Sequence, residues 1–126
     1  MTQPWGYHLM LDCADGHNVD DKERILNFIK ELVPAIDMIA FGEPWIERFA
    51  THDASKAGIS FCQMIETSNI CGHFVESNGD FYIDVFSCKP FEPMIVINLV
   101  EKYFDPVTIK PDMVYRDARS DPNTNT

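Results

Sequence analysis

The first third of the chain contains a short apolar run followed by a segment with helical periodicity. Residues 7–13 are mostly apolar and precede a glycine-containing turn sequence, which is typical of a buried strand. Across residues 22–33, apolar positions recur at helical spacing while lysines and glutamates occupy the other side. Asp20 or Asp21 can cap this helix, and Pro34 is expected to end it. The pattern therefore predicts a strand and then a helix.

The following segment alternates apolar runs with breaks. Residues 36–41 are apolar enough for a second strand, which the sequence at residues 42–44 (Gly-Glu-Pro) interrupts. A further strand is indicated at residues 45–50. Residues 51–56 are polar and are expected to form a loop.

Two apolar runs in the middle of the chain surround a strong turn signal. Residues 59–66 and residues 81–87 are each typical of a buried strand. Between them, residues 77–80 (Ser-Asn-Gly-Asp) favour a tight turn. Residues 71–76 are therefore predicted to form the other arm of a hairpin.

The last third predicts one helix and one strand. Apolar positions recur at helical spacing across residues 94–104, with Pro93 in the first turn and Asp-Pro at residues 105–106 as the stop. Residues 107–115 are typical of a final strand. Pro111 within it indicates an edge strand or a bulge.

These elements predict an α+β fold in a single domain at residues 1–116. Its architecture is a two-layer sandwich, a mainly antiparallel sheet with two helices on one face. The chain has 126 residues, a usual size for one core, and the polar residues 117–126 are expected to form a flexible tail. Because helices cover only one face, the sheet is left free to dimerise through its other face or an edge.

Composition and charge narrow the classes of partner. Hydrophobic residues make up 45% and charged residues 24% of the chain, as in ordinary globular proteins. The formal net charge of −10 would repel nucleic acid and favour a cationic small molecule. No stretch approaches the roughly 18 apolar residues that cross a bilayer, and the first residues carry no basic signal segment. We therefore expect no membrane partner and a cytoplasmic location, in a bacterial cell or a virus-infected host.

The four cysteines do not form a recognisable framework. They lie at positions 13, 62, 71 and 88, without a CxxC pair and without zinc-like spacing to a histidine. Reduced thiols are expected, and no metal site is predicted.

One constellation of residues carries chemical information. Gly58 and Ser60 form a Gly-x-Ser sequence, Ser68 follows eight residues after Ser60, and His73 follows five residues later. The sequence Asp84–Cys88 has the form Asp-x-Phe-x-Cys, with its cysteine twenty residues after Ser68. These residue types at these intervals resemble the bacterial S-adenosylmethionine decarboxylases, which are self-cleaving proenzymes.

Two further features concern this resemblance. Gly6, Tyr7 and His8 resemble the Gly-x-His that commonly begins the family's first strand, so the similarity spans most of residues 5–115. The family commonly has Glu directly before the cleaving serine, whereas here Thr67 occupies that position. A β-branched residue there can slow self-cleavage.

The resemblance implies how the chain would be processed. Ser68 would attack the carbonyl of Thr67, and the resulting ester would eliminate and hydrolyse, leaving a β chain of residues 1–67 and an α chain of residues 68–126. Such a reaction needs a hydroxyl held against the preceding carbonyl, a donor for the oxyanion and a base. Ser68 would become a covalent pyruvoyl group, which forms a Schiff base with the substrate amine and requires no external cofactor.

The resemblance also implies roles for other residues. Ser60 and His73 would assist processing, with His73 as the base for elimination, and Cys88 would return a proton to the substrate. Phe49 is the candidate for stacking on adenine, and Glu76 is the candidate carboxylate for the ribose hydroxyls. Glu76 lies three residues after His73, whereas the family usually has four, so the pocket is expected to differ in shape.

The implied reaction converts S-adenosylmethionine into S-adenosyl-3-methylthiopropylamine, the aminopropyl donor for spermidine biosynthesis. In the bacterial family two protomers supply complementary parts of each active site, so a homodimer of processed protomers is expected. Two alternatives stay open. One is a pyruvoyl decarboxylase of another amino acid, ornithine or arginine, and the other is an unprocessed homologue with a regulatory or binding role.

Overall fold

The computed structural model describes residues 3–119. It contains six strands and two helices within this range. In chain order they are β1 (Gly6–Ala14), α1 (Lys22–Ala35), β2 (Trp45–Phe49), β3 (Gly58–Ile65), β4 (Ser68–Phe74), β5 (Phe81–Ser87), α2 (Pro93–Phe104) and β6 (Thr108–Arg116).

The strands form one sheet in the order β2-β3-β4-β5-β1-β6, and every neighbouring pair is antiparallel. The two helices pack against one face of it, so the predicted α+β two-layer sandwich is confirmed. β6 is an edge strand, as Pro111 indicated. Within residues 3–119, neither helix has the length and apolar character needed to cross a membrane.

Both helices begin where their capping residues indicate. Asp21 caps α1 by accepting a hydrogen bond from the Arg24 N–H, and the Glu92 side chain caps α2. The prediction that Pro34 ends α1 is wrong by one residue. A proline removes only its own N–H, and the Ile36 N–H still donates to Leu32 O at 3.1 Å, so the last turn closes beyond it.

The core lies between the helices and one face of the sheet. It is built around phenylalanine rings from both layers, whose centroids lie 5.0 to 6.5 Å apart, and aromatic pairs at this separation attract one another. These rings belong to Phe28, Phe61, Phe74, Phe81 and Phe104. Burying them orients the sheet, because alternate side chains of each strand must then point away from the helices.

The strand predicted at residues 36–41 is absent. This segment makes a single bridge, between Ala40 and Ile65, and is otherwise irregular. β2 already occupies the edge of β3 from Gly58 to Cys62, so little of that edge remains for another strand. Instead the segment packs beside the end of β3, where the Phe41 N–H donates to Met64 O at 2.8 Å.

A tight hairpin joins β3 to β4, and the sequence did not reveal it. The predicted strand at residues 71–76 begins earlier, at Ser68, which lies opposite Ile65. Only Glu66 and Thr67 remain between the two strands. The bond between Thr67 and Ser68 therefore lies where this hairpin turns.

Candidate active site

The candidate residues lie mainly on the sheet face turned away from the helices, called the open face below. Along β3 and β4, the neighbours of Ser60 and His73 are buried in the core, so these two side chains point to the opposite side. The central strands contribute to the open face His8, Ser60, Cys62, Cys71, His73, Tyr82, Asp84 and Phe86.

Ser60 and His73 form a contact pair. They are directly opposite in the β3–β4 register, and Ser60 Oγ lies 2.9 Å from His73 Nδ1. His73 is exposed and Ser60 is half-buried. A hydroxyl in contact with an accessible imidazole can support proton transfer to or from a reacting group placed above the open face.

Gly58 allows the strand carrying Ser60 to approach its neighbour closely. A Cβ atom at position 58 would lie 1.7 Å from the main-chain oxygen of Phe74. Only glycine fits this approach. The Gly-x-Ser sequence thus combines a packing requirement at Gly58 with a polar group at Ser60.

Ser68 begins β4 in an unfavourable backbone conformation. Its φ angle is 149°, a positive value that residues with a Cβ atom rarely adopt. Ser68 pairs with Ile65 on one side and with Ser87 on the other. Backbone strain is therefore located at the residue predicted to break its own peptide bond.

The carbonyl of Thr67 is hydrogen-bonded by the residue that directly follows β5. The Cys88 N–H donates to Thr67 O at 3.0 Å. The Thr67 hydroxyl accepts from Ser87 Oγ at 2.9 Å and donates to Met38 Sδ at 3.2 Å. Sequence reasoning did not single out Ser87, although it lies inside the Asp-x-Phe-x-Cys sequence and its alternation predicts an inward side chain.

Cys88 differs from the other cysteines in its environment. It is exposed at the end of β5, whereas Cys62 and Cys71 are half-buried and Cys13 is buried. Burial raises the pKa of Cys13 to about 12, with a smaller contribution from the charge of Asp12. Burial, followed by contact with Cys62, also raises the pKa of Cys71 to about 12. Cys88 is therefore the exposed cysteine, and its main-chain N–H binds the Thr67 carbonyl.

The Gly-x-His sequence of β1 and the Asp-x-Phe-x-Cys sequence of β5 are in contact. His8 lies opposite Phe86, with ring centroids 5.5 Å apart, and His8 Nε2 is 3.6 Å from an Asp84 carboxylate oxygen. A Cβ atom at Gly6 would lie 2.8 Å from the Phe86 ring. β1 therefore packs against the stretch of β5 that leads to Cys88.

The candidate substrate residues are placed apart from one another. Phe49 is 39% exposed and makes an edge-to-face contact with Trp45 on β2, at 5.2 Å between centroids. Glu76 follows β4, and its carboxylate binds the Arg48 guanidinium through both oxygens. The Arg48 hydrogen bond and charge lower the pKa of Glu76. Because Arg48 and Phe49 are adjacent on β2, they point to opposite faces.

The predicted processing residues Ser60 and His73 lie far from Ser68 within one chain. The Ser60–His73 pair lies five positions along the hairpin from the Ile65–Ser68 pair. At about 3.4 Å per residue, this is a separation of about 17 Å between Cα positions. One chain therefore does not bring Ser60 and His73 to the Thr67–Ser68 bond.

Metal-binding groups are a separate question. Within the described part of the chain, no three His, Cys, Asp or Glu side chains cluster as a metal site would require. Nor does any buried side-chain nitrogen or oxygen in residues 3–119 lack a hydrogen-bond partner.

Comparisons with known proteins agree with this architecture. A family model described as S-adenosylmethionine decarboxylase matches residues 7–117. Among solved structures, the adenosylmethionine decarboxylase from Aquifex aeolicus VF5 superimposes with a TM-score of 0.78 at 16% sequence identity, covering 99% of this chain and 100% of that one. No curated protein matches the sequence. The resemblance indicated by the spacing of Ser60, Ser68, His73 and Cys88 is confirmed, and the chain belongs to the S-adenosylmethionine decarboxylase family of enzymes.

Proposed function

We propose that this protein cuts its own chain between Thr67 and Ser68 and then decarboxylates S-adenosylmethionine to S-adenosyl-3-methylthiopropylamine, the aminopropyl donor for spermidine biosynthesis. Membership of the family supports the substrate and the reaction class. The observation that carries the cleavage is the strained Ser68, which follows a carbonyl already held by the Cys88 N–H. The products are a β chain of residues 1–67 and an α chain of residues 68–126.

The first step transfers the Thr67 acyl group from nitrogen to oxygen. Ser68 Oγ adds to the Thr67 carbonyl carbon, the C–N bond breaks, and the hydroxyl proton ends on the Ser68 nitrogen. Negative charge develops on the Thr67 oxygen, where the Cys88 N–H is positioned to stabilise it. Release of the strain at Ser68 also favours breaking this bond.

The second step removes the ester. A base takes the Ser68 Cα proton and the Thr67 carboxylate leaves, so that the remaining dehydroalanine hydrolyses to pyruvoyl with loss of ammonia. His73 is the proposed base, assisted by Ser60, since the two side chains are in contact and His73 is accessible.

The residues around Ser68 fit a pyruvoyl group. The Ser68 side chain is half-buried, and the exposed Cys88 follows directly on the strand paired with it. When present, a pyruvoyl group supplies a carbonyl that accepts the electrons released on loss of carbon dioxide. Cys88 is the proposed donor that returns a proton to the substrate α-carbon.

Two copies of the chain would form each active site. Since Ser60 and His73 lie about 17 Å along the hairpin from Ser68, we infer that the pair from one protomer serves the cleavage site of its partner in a homodimer. The open face supports this arrangement because it exposes large apolar side chains that a second copy would cover. They are Trp45, Phe49, Met64, Tyr82 and Val114.

Substrate recognition follows from charge and from the open face. The net charge of −10 favours a cationic sulfonium, and the exposed ring of Phe49 offers a surface for adenine. Glu76 remains the proposed ribose ligand. Its ion pair with Arg48 must then open or be shared, and the substrate must extend from Phe49 on the open face towards the face to which Arg48 points.

Intact-mass spectrometry of the purified protein tests the proposal. Two fragments divided between Thr67 and Ser68 are expected, and Ser68→Ala is expected to remain full-length. A single full-length mass for the wild type after long incubation contradicts the proposal and favours an unprocessed homologue. Release of labelled carbon dioxide from S-adenosylmethionine, and not from ornithine or arginine, is expected of the cleaved protein.

A further inference from the structure

The hydroxyl of Ser87 is fully buried at the end of β5. Its exposed fraction is 0%, and Gln63 is the other buried polar residue in the described chain. Ser87 Oγ accepts a hydrogen bond from the Lys89 N–H at 2.9 Å and donates to Thr67 Oγ1 at 2.9 Å. A buried hydroxyl with both partners satisfied holds a defined orientation.

Ser87 and Cys88 each form a hydrogen bond with Thr67. Ser87 binds its side chain, while the Cys88 N–H binds its carbonyl oxygen at 3.0 Å. Met38 Sδ completes the chain of contacts by accepting from the Thr67 hydroxyl at 3.2 Å. The residue on the acyl side of the bond is therefore fixed in both side chain and main chain.

The segment around Met38 closes the opposite side of the turn. The Glu66 N–H donates to Ile39 O at 2.9 Å. Lys89 Nζ lies 2.8 Å from an Asp37 carboxylate oxygen and 2.7 Å from the Asp37 carbonyl oxygen, which ties this segment to the end of β5. An unfavourable φ angle persists only where the surrounding structure imposes it. At Ser68, these contacts fix the residues that precede the strained position.

We propose that Ser87 is a positioning residue for self-cleavage, acting through the Thr67 hydroxyl to hold the Thr67 carbonyl against the Cys88 N–H. The inference rests on the proposed self-cleavage between Thr67 and Ser68. It also accounts for a threonine before the cleaving serine, because the hydroxyl is the partner that Ser87 requires. Holding the Thr67 carbonyl in place for attack by the Ser68 hydroxyl would lower the activation barrier for cleavage.

A matched pair of variants at position 67 tests the role of the hydroxyl. Thr67→Val keeps the β-branched shape and loses the hydroxyl, whereas Thr67→Ser keeps the hydroxyl. Thr67→Val and Ser87→Ala are each expected to slow cleavage by about tenfold, the effect of one lost hydrogen bond in the transition state. Thr67→Ser is expected to cleave at close to the wild-type rate, and the double variant Thr67→Val, Ser87→Ala no more slowly than either single variant.

The measurement separates positioning from general stability. Each full-length chain is made by cell-free synthesis, and the cleaved fraction is followed by intact mass with time. Once cleaved, Ser87→Ala is expected to release carbon dioxide within about twofold of the wild-type rate per cleaved chain. Gln63→Met removes the other buried polar side chain without touching Thr67, and is expected to cleave normally.

The outcomes that overturn the inference differ from those that overturn the proposed function. If the wild type cleaves and Ser87→Ala cleaves equally fast, Ser87 has no positioning role. Equal slowing by Gln63→Met, or multiplicative slowing in the double variant, also contradicts it. A wild type that never cleaves contradicts the proposed function itself.

Discussion

Ser60 Oγ lies 2.9 Å from His73 Nδ1 across the β3–β4 hairpin, although Ser68, which lies between them in sequence, is at the opposite end of that hairpin. The two strands run antiparallel from the turn at Glu66 and Thr67, so residues equally far from the turn meet. The processing residues are thus close to each other and distant from the bond they are proposed to act on.

This separation predicts complementation between two inactive chains. His73→Ala keeps Ser68, and Ser68→Ala keeps the Ser60–His73 pair, so neither is expected to be processed normally alone. In a mixed dimer, the intact pair of the Ser68→Ala chain would act on the His73→Ala chain. Cleavage of the His73→Ala chain at Thr67 is therefore expected on mixing and should be seen by intact mass.

The same experiment distinguishes action within one chain from action between chains. Removing a general base typically lowers a rate by about 100-fold or more, so the His73→Ala chain alone supplies a clear baseline. If mixing leaves that baseline unchanged although mixed dimers form, the proposed sharing of sites between protomers is wrong.

Cys88 is predicted to separate processing from turnover. In Cys88→Ala the main-chain N–H that holds the Thr67 carbonyl is retained, so cleavage is expected to proceed near the wild-type rate. The steady-state rate of carbon dioxide release is expected to fall by about 100-fold, because each turnover needs a proton returned to the substrate. Cys62→Ala, which removes a half-buried thiol on the same sheet, serves as the control, and normal turnover by Cys88→Ala would remove it as the proton donor.

The Arg48–Glu76 pair predicts an acid-dependent contribution to stability. Arg48 lowers the pKa of Glu76 from its ordinary value of 4.5, so the folded state binds this proton less readily than the unfolded state. The contribution is therefore present above pH 4.5 and is lost as the pH falls through the lower, folded pKa. Glu76→Gln is expected to unfold at a lower temperature than wild type at pH 7 and to converge with it in acid.

A second, exposed glutamate provides the control for this measurement. Glu43 is exposed and has no ion pair among the described residues, so Glu43→Gln makes the same change in charge without breaking a contact. Thermal unfolding is recorded from pH 7 down to pH 3. The difference in unfolding temperature between Glu76→Gln and wild type should shrink as the pH falls, whereas Glu43→Gln should show no such change.

Gly58 is predicted to be required for packing. In Gly58→Ala the new Cβ atom would meet the Phe74 oxygen at 1.7 Å, and two main-chain segments of the central sheet would have to move apart. Overpacking of this kind destabilises by about 2 kcal/mol or more, equivalent to a fall in the unfolding temperature of about 8 °C. Thr51→Ala in the exposed loop should leave the unfolding temperature unchanged, and an unchanged Gly58→Ala would contradict the close approach.

Much of the secondary structure could be predicted because its signals are local. The largely apolar run at residues 81–87, next to a turn sequence, predicts a strand, and β5 spans Phe81–Ser87. Asp21, as one of two candidate caps, and Pro93 marked the starts of the helices because capping depends on the residue and its nearest neighbours. The intervals between Ser60, Ser68, His73 and Cys88 likewise identified the family without any coordinates.

The elements that could not be predicted depend on contacts distant in sequence. Residues 36–41 have the composition of a strand, but the edge they would need is occupied by β2. The start of β4 at Ser68 depends on pairing with both Ile65 and Ser87. Local periodicity carries no information about which edges are free.

Residue types and their intervals along the chain were enough to identify the family and the fold class, and to name candidate residues for the chemistry. Which of those residues meet depends on the folded chain. It brought Ser60 to His73, joined Thr67 to Ser87 and Cys88, and kept the first pair about 17 Å along the hairpin from the Thr67–Ser68 bond. The physical reason is that an antiparallel hairpin reverses the chain, so residues equally far from the turn meet, whereas residues at different distances from it lie apart even when they are closer in sequence.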